Sequence, residues 1–156
     1  MASKSPIFRP AAVAAALLAL ASCGSPSSTR DDYYFTEVVF PNGAKIKAEV
    51  IRDPLIMQRG MMFRDSLAAD RGMLFTHGQP GNFPYWMHNV KVPLDIIWLD
   101  SNRNVVEIVH SAAPCPKRPC PDLGGTKPAL FVLEVNAGVA KKNNLQAGES
   151  LRFIGY

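Results

Sequence analysis

The sequence predicts an α+β fold, in which a small, mostly antiparallel sheet curls into a partial β-barrel and carries two short helices. About seven short segments are rich in β-branched and aromatic residues and are separated by turn residues. Only two segments carry helix signals, and strands and helices do not alternate as they do in parallel sheets. A length of 156 residues allows one folded domain.

The first predicted elements are a β-hairpin and a short helix. Residues 34–40 and 44–51 read as two strands around the turn sequence Pro-Asn-Gly at residues 41–43. Asp53 and Pro54 then favour a helix start, and Gly60 is a plausible C-terminal cap. Two apolar runs follow, MMF and MLF, and the sequence identifies no partner strand for either.

The stretch from Asn82 to Asp100 is the one around which the fold is expected to be built, since it contains both tryptophans. Leu94 to Leu99 is apolar at both alternating sets of positions, which is typical of a strand buried on both faces. Asp95 interrupts this pattern. The turn sequence DSNRN leads into a strand at residues 105–111, which predicts an antiparallel hairpin.

The last third of the chain is predicted to contain a long loop, two strands and a helix. Residues 112–128 are rich in proline and form the loop, a length that is commonly functional. Residues 129–135 read as a strand interrupted by Glu134. Residues 136–144 suit a short helix capped by Asn136, and residues 150–154 suit a final strand.

The N-terminal segment resembles a bacterial lipoprotein signal. Lys4 and Arg9 form a basic start, an apolar run follows, and the sequence LASC ends at Cys23. The apolar run is shorter than the roughly 20 residues that span a bilayer. The resemblance implies cleavage before Cys23 and acylation of that cysteine. We therefore expect a signal peptide at residues 1–22, a flexible tether at residues 23–32 and a single α+β domain at residues 33–156.

This processing sets the compartment and the partners that we expect. The mature protein would be exported and anchored in the cell envelope by the lipid on Cys23, at the outer membrane or its periplasmic side if the source is Gram-negative. Its net charge falls from +4 to +2, because the signal removes two basic residues and no acidic ones. Nucleic acid is excluded as a partner, since neither a basic stripe nor an exported address favours it.

Export also makes the remaining cysteine pair informative. Cys115 and Cys120 are left as an even pair in an oxidising compartment, which predicts a disulfide. Closing so short a loop contributes only about 2 kcal/mol, so the bond would shape a loop. A redox pair or half of a metal site are the alternatives, although the spacing differs from the two-residue spacing of thioredoxin-like motifs.

Three blocks of the chain resemble the domain of unknown function 192 family. They are RGMMFRDSLAADRGMLF, WMHNVKVPLDIIWLD and VLEVNAG, which begin at Arg59, Trp86 and Val132. The resemblance implies a small, barrel-like α+β domain, often exported, without an established reaction. Trp86, Met87, Asn89 and Asp95 match the family block as they stand, and we include Trp86 and Met87 among the candidate binding residues for this reason.

Asp95 is the most suggestive single residue, because a carboxylate in a buried strand must be hydrogen-bonded or paired. Arg59, Arg64 or backbone N–H groups are its expected partners. Asp95 either anchors the turn before its strand or belongs to a polar site for a small ligand. Asn89 is a turn former or a contact in that site, and Arg59 and Arg64 are either solvated or form an anion-binding pair.

The sequence therefore favours a non-enzymatic binding or accessory module of the envelope, whose partner is a small ligand or an envelope component. One alternative is a cell-wall or glycan-acting enzyme that uses Asp95. A second is a Cu(I)-binding protein, because thioether and imidazole ligands suit that ion. No cofactor and no defined metal site are assigned. The soft ligands for copper would be Met57, Met61, Met62, Met73, Met87, His77 and His88.

Acylation of Cys23 has a direct test. Cells expressing the wild type should show the protein in the membrane fraction with a lipid on its intact mass, because stable anchoring requires more than one acyl chain. Cys23→Ala should lack the lipid and should be less abundant in that fraction than the wild type. Equal sedimentation of the two forms, or a wild-type mass without lipid, would contradict the anchor.

Overall fold

In a computed structural model of the protein, the structure describes Met1 and residues 34–156. The described chain contains β1 (Phe35–Val39), β2 (Lys45–Ile51), α1 (Pro54–Arg59), β3 (Arg71–Gly81), β4 (Leu94–Leu99), β5 (Val105–Ala112), β6 (Ala129–Asn136), α2 (Val139–Lys142) and β7 (Arg152–Ile154). The α+β class, with seven strands and two short helices, is confirmed. Cys23 and the predicted signal peptide and tether lie outside the described residues, Met1 excepted.

All seven strands belong to one sheet, in the order β5-β4-β6-β3-β2-β1-β7. Neighbouring strands are antiparallel except β2 and β3, which are parallel. The sheet is not closed, and β5 and β7 are its edges. Beside these edges the Val105 N–H donates to the Glu149 carbonyl and the Leu151 N–H donates to the Arg103 carbonyl. The partial barrel remains a prediction from the sequence.

The two faces of the sheet carry two separate hydrophobic clusters. β4 contributes to both, because alternate side chains of a strand point to opposite faces. Ile97 and Leu99 belong to one cluster, and Leu94, Ile96 and Trp98 to the other. The strand buried on both faces is therefore confirmed. We call the cluster with Trp98 the tryptophan-side cluster, and its buried members include Ile51, Met61, Met73, Phe75, Met87, Val90, Leu94, Ile96, Trp98 and Val132.

The centre of the sheet is β3, whose partners the sequence does not identify. The run MLF at residues 73–75 pairs with β2 on one side and β6 on the other. β4 is the second strand from an edge. The stretch from Asn82 to Asp100 therefore supplies a buried strand but not the central one.

Capping residues in the sequence predict the start of one helix correctly and that of the other wrongly. At α1, Asp53 accepts hydrogen bonds from the N–H groups of Leu55 and Ile56, and the helix ends at Gly60, as predicted. The prediction for α2 is wrong at its start. Asn136 is the last residue of β6, and its side-chain amide donates to the carbonyls of Leu67 and Ala68. A tertiary contact thus takes the side chain that would have capped the helix.

Residues 34–156 belong to one compact unit, and both hydrophobic clusters lie within it. This part of the chain therefore contains its own core and is able to fold alone. None of the helices in the described part is long and apolar enough to cross a membrane.

Candidate functional site

A cleft of about 1040 Å³ lies between β2 and the chain that follows it. Its walls come from the end of β2, from α1 and from the turn after α1. Apolar and charged side chains alternate around it. The lining residues are Tyr34, Glu49, Val50, Ile51, Arg52, Asp53, Leu55, Ile56, Arg59, Gly60, Met62, Phe63, Arg64 and Met73.

The α1 wall is unusual because the helix contains no buried residue. Leu55 and Ile56 are 76% and 49% exposed, and Phe63 in the following turn is 56% exposed. An amphipathic helix normally buries its apolar stripe against the core. Here that apolar surface lies along the cleft, where it is available to a ligand or a partner.

A polar row crosses the sheet beneath the cleft. Cross-strand pairing aligns Glu49 of β2 with Met73 of β3, and Met73 with Glu134 of β6. Met73 belongs to the tryptophan-side cluster, so all three side chains lie on that face of the sheet. Two carboxyl groups therefore flank one methionine on this face of the sheet.

Arg64 connects this row to the cleft. Its two terminal nitrogens donate to the two carboxylate oxygens of Glu49, each at 2.6 Å. This bidentate geometry is the strongest form of an arginine–carboxylate contact. Both side chains are largely covered, so the pair is less screened than a surface ion pair. Arg64 is thereby held at a fixed position in the cleft.

Glu134 is only 4% exposed, and its Oε2 has no hydrogen-bond partner among the described residues. Burial raises the pKa of this carboxyl to about 8, although the positive charge of Arg64 opposes the shift. Tyr85 is partly buried, and desolvation together with the charge of Glu134 raises its pKa. At neutral pH Glu134 is therefore mostly protonated and uncharged.

Backbone hydrogen bonds support the turn that carries Arg64. The Phe63 N–H donates to the Asn89 carbonyl, and the Asn89 N–H donates to the Cys115 carbonyl. Asn89 has φ +56°, in the left-handed region where asparagine is favoured, so it also forms the turn itself. The Sγ atoms of Cys115 and Cys120 lie 2.09 Å apart, at disulfide-bonding distance. The cysteine loop and the Asn89 turn thus brace the wall of the cleft.

Asp95 lies on the opposite face from the cleft and is completely buried. Its Oδ1 accepts from the Ser111 N–H and its Oδ2 from the Ala140 N–H, both at 2.8 Å. Backbone groups are thus its partners, rather than Arg59 or Arg64. The carboxylate connects the end of β5 to α2 and has no exposed surface to offer a substrate.

The remaining predicted residues are dispersed. Met87 is buried in the tryptophan-side cluster together with Met61 and Met73. Trp86 is partly buried, with the guanidinium of Arg118 4.6 Å from its ring centroid and the ring of His88 beside it. Within residues 34–156, no group of three or more His, Cys, Asp or Glu side chains is placed to hold a metal ion.

Of the predicted binding residues, the structure brings only Arg59 and Arg64 into the cleft, and Asn89 supports it through the backbone. Met62 and Met73 from the predicted copper ligands also line the cleft. Sequence reasoning missed Glu49 as the partner of Arg64. It also missed the exposed wall formed by Leu55, Ile56 and Phe63. Glu134 was visible in the sequence, because it interrupts an apolar strand. That its Oε2 has no hydrogen-bond partner among the described residues could be seen only in the folded structure.

The substitution Asp95→Asn should lower the free energy of unfolding by about 2 kcal/mol, measured by urea denaturation. An amide has only one acceptor oxygen, so one of the two N–H groups would face an NH₂ donor inside the protein. Asp53→Asn is the matched control, because Asp53 accepts both of its backbone N–H groups on one oxygen at an exposed helix cap. Equal effects of the two substitutions would contradict the anchoring role.

Glu134→Gln should change how stability depends on pH. Because the pKa of Glu134 is raised from 4.5 to about 8, the folded state binds this proton more tightly than the unfolded state. The wild type should therefore lose stability as pH rises through this range, by an amount on the order of a few kcal/mol. The variant lacks this loss, so its melting temperature should exceed that of the wild type increasingly from about pH 5 to about pH 9.

The matched control for this experiment is Glu107→Gln, on a carboxylate that accepts from the exposed Thr126. Its pH profile should follow that of the wild type. If Glu134→Gln and the wild type give parallel profiles, the carboxyl of Glu134 does not titrate as burial requires.

Comparisons with known proteins agree with the fold but identify no enzymatic reaction. The family profile of DUF192, described as uncharacterized ACR, matches residues 37–153. No curated protein matches the chain. A protein of unknown function from Novosphingobium aromaticivorans DSM 12444 has a similar crystal structure, with 30% identity, a TM-score of 0.68 and coverage of 76% of this chain and 83% of that one.

A second similar crystal structure comes from Sinorhizobium meliloti 1021 and is provisionally named a transcription regulator. It shares 29% identity and a TM-score of 0.68, over 78% of this chain and 94% of that one. The family profile covers well over half of the sequence and contains the strands and the crossover that build the cleft. The chain belongs to the domain of unknown function 192 family, DUF192.

Proposed function

We propose that the protein is an envelope-tethered, non-enzymatic binding module whose cleft holds a small anionic amphiphile. The observation that carries the proposal is the joint presence, in one cleft, of three exposed apolar side chains and the cationic side chain of Arg59. The envelope tether is supported by the lipoprotein-like sequence that ends at Cys23.

The size of the cleft suits a small organic molecule. Ligand sites in proteins commonly enclose roughly 300–1,000 Å³ and are lined mainly by apolar residues with a few polar groups. The volume of about 1040 Å³ lies at the upper end of this range. A ligand with an extended apolar body would cover Leu55, Ile56 and Phe63, and burial of that surface would favour binding.

The charges of the cleft favour an anionic group on that ligand. Glu49 and Arg64 neutralise one another, and Asp53 is occupied as the cap of α1. The guanidinium of Arg52 lies over the rings of Tyr34 and Tyr156. The guanidinium of Arg59 makes no hydrogen bond or ion pair with the part of the chain that the structure describes, so its charge is available to a carboxylate or phosphate.

Binding can be tested by calorimetry on the purified mature chain with three probes. Decanoate has both the apolar chain and the charge, decanol has the chain alone, and acetate has the charge alone. We expect decanoate to bind most tightly, decanol more weakly and acetate not measurably. This order would show that both parts of the cleft contribute.

The substitution Arg59→Gln should weaken decanoate binding about tenfold, which corresponds to roughly 1.4 kcal/mol, and leave decanol binding unchanged. Arg152→Gln is the matched control, because Arg152 is exposed on β7 and does not line the cleft. No binding of decanoate to the wild type, or equal losses in the two variants, would refute the proposed site.

A further inference from the structure

The mouth of the cleft carries an exposed apolar rim, which consists of Leu55, Ile56 and Phe63. Exposed apolar side chains are ordinary when they are scattered singly. Here three large ones lie together on one short crossover, and Arg59 lies between them in sequence. This combination of apolar side chains with a neighbouring cation is typical of surfaces that sit at a membrane interface.

We propose that the apolar rim docks on a lipid bilayer containing anionic phospholipids, so that the folded domain rests on the membrane with its cleft facing the lipid. The inference rests on the proposed envelope tether. It goes beyond the proposed ligand site, because it assigns a partner surface and an orientation to the domain.

The path of the chain supports the bilayer as the occupant. Tyr34, the first residue of the described domain, itself lines the cleft. The predicted lipid attachment at Cys23 is only 11 residues earlier. Eleven residues span at most about 40 Å when fully extended. The described domain thus begins at the cleft, and a lipid on Cys23 would keep Tyr34 within about this distance of the membrane.

Charge complementarity supports the same occupant. Arg52 and Arg59 are exposed beside the rim, and anionic headgroups attract such residues close to the surface. The two acids that also line the cleft do not oppose this attraction strongly. Glu49 is paired with Arg64, and Asp53 interacts with the N-terminus of α1.

The test uses residues 24–156, which lack the signal and the acylated cysteine but retain the whole compact unit. Cosedimentation is measured with vesicles of phosphatidylethanolamine and phosphatidylglycerol. The wild-type sequence should bind them and should bind pure phosphatidylcholine vesicles more weakly. Changing Leu55, Ile56 and Phe63 together to serine should lower the partition coefficient at least about tenfold, since three apolar side chains leave the interface.

Ile154→Ser is the matched control, because Ile154 is 48% exposed but does not line the cleft. It should bind vesicles like the wild type. Circular dichroism and thermal melting check that the triple variant is folded. If it is not, amide hydrogen exchange of the wild type answers the question, because residues 54–64 should gain protection on vesicles.

Other occupants would overturn the proposal in recognisable ways. Sedimentation of the wild type as a dimer that the triple substitution dissociates would assign the rim to a second copy. A different result is that residues 54–64 are protected from amide hydrogen exchange without vesicles and lose this protection when residues 24–32 are deleted. That result would assign the apolar rim to the tether. Absence of vesicle binding refutes the docking surface and leaves the decanoate site untouched, so the two proposals fail separately.

Discussion

The parallel pairing of β2 and β3 is the constraint from which the cleft follows. Antiparallel neighbours can be joined by a tight turn, but a parallel pair requires the chain to leave the sheet and return from the other end. The chain does this between Ile51 and Arg71, and that crossover carries both α1 and Arg64. Because α1 buries none of its residues, the crossover spans the face of β2 without sealing it. An open space beside the sheet is the result.

Two buried carboxyl groups show opposite solutions to the cost of removing a polar group from water. Asp95 has backbone donors on both oxygens, so its burial connects separate elements and orders them. Glu134 has an oxygen without a hydrogen-bond partner among residues 34–156, and burial favours its protonated form instead. The first arrangement serves the architecture. The second places a carboxyl group that is neutral at neutral pH near the Glu49–Arg64 pair, on the face that also borders the cleft. Loss of its proton would add a negative charge there.

The elements of the fold were largely predictable because they depend on local signals. A continuous apolar run identified β4, the Pro-Asn-Gly turn identified the first hairpin, and Asp53 identified the start of α1. Strand order was not predictable, because pairing across β3 joins segments that are distant in sequence. The prediction of the site failed for the same reason. Arg64 and Glu49 are 15 residues apart, and nothing in the intervening sequence indicates that the chain folds them together.

The crossover has a consequence for how such a domain diversifies. Most of its cleft-facing residues are exposed, whereas the two hydrophobic clusters are formed mainly by the strands. Substitutions at Leu55, Ile56 or Arg59 therefore alter the chemistry of the cleft with little effect on the core. Glu49 and Arg64 are less free to change, because losing either member leaves the other partly buried and unpaired. The fold thus separates a wall that tolerates substitution from a floor that constrains it, so that the binding surface can change while the core stays intact.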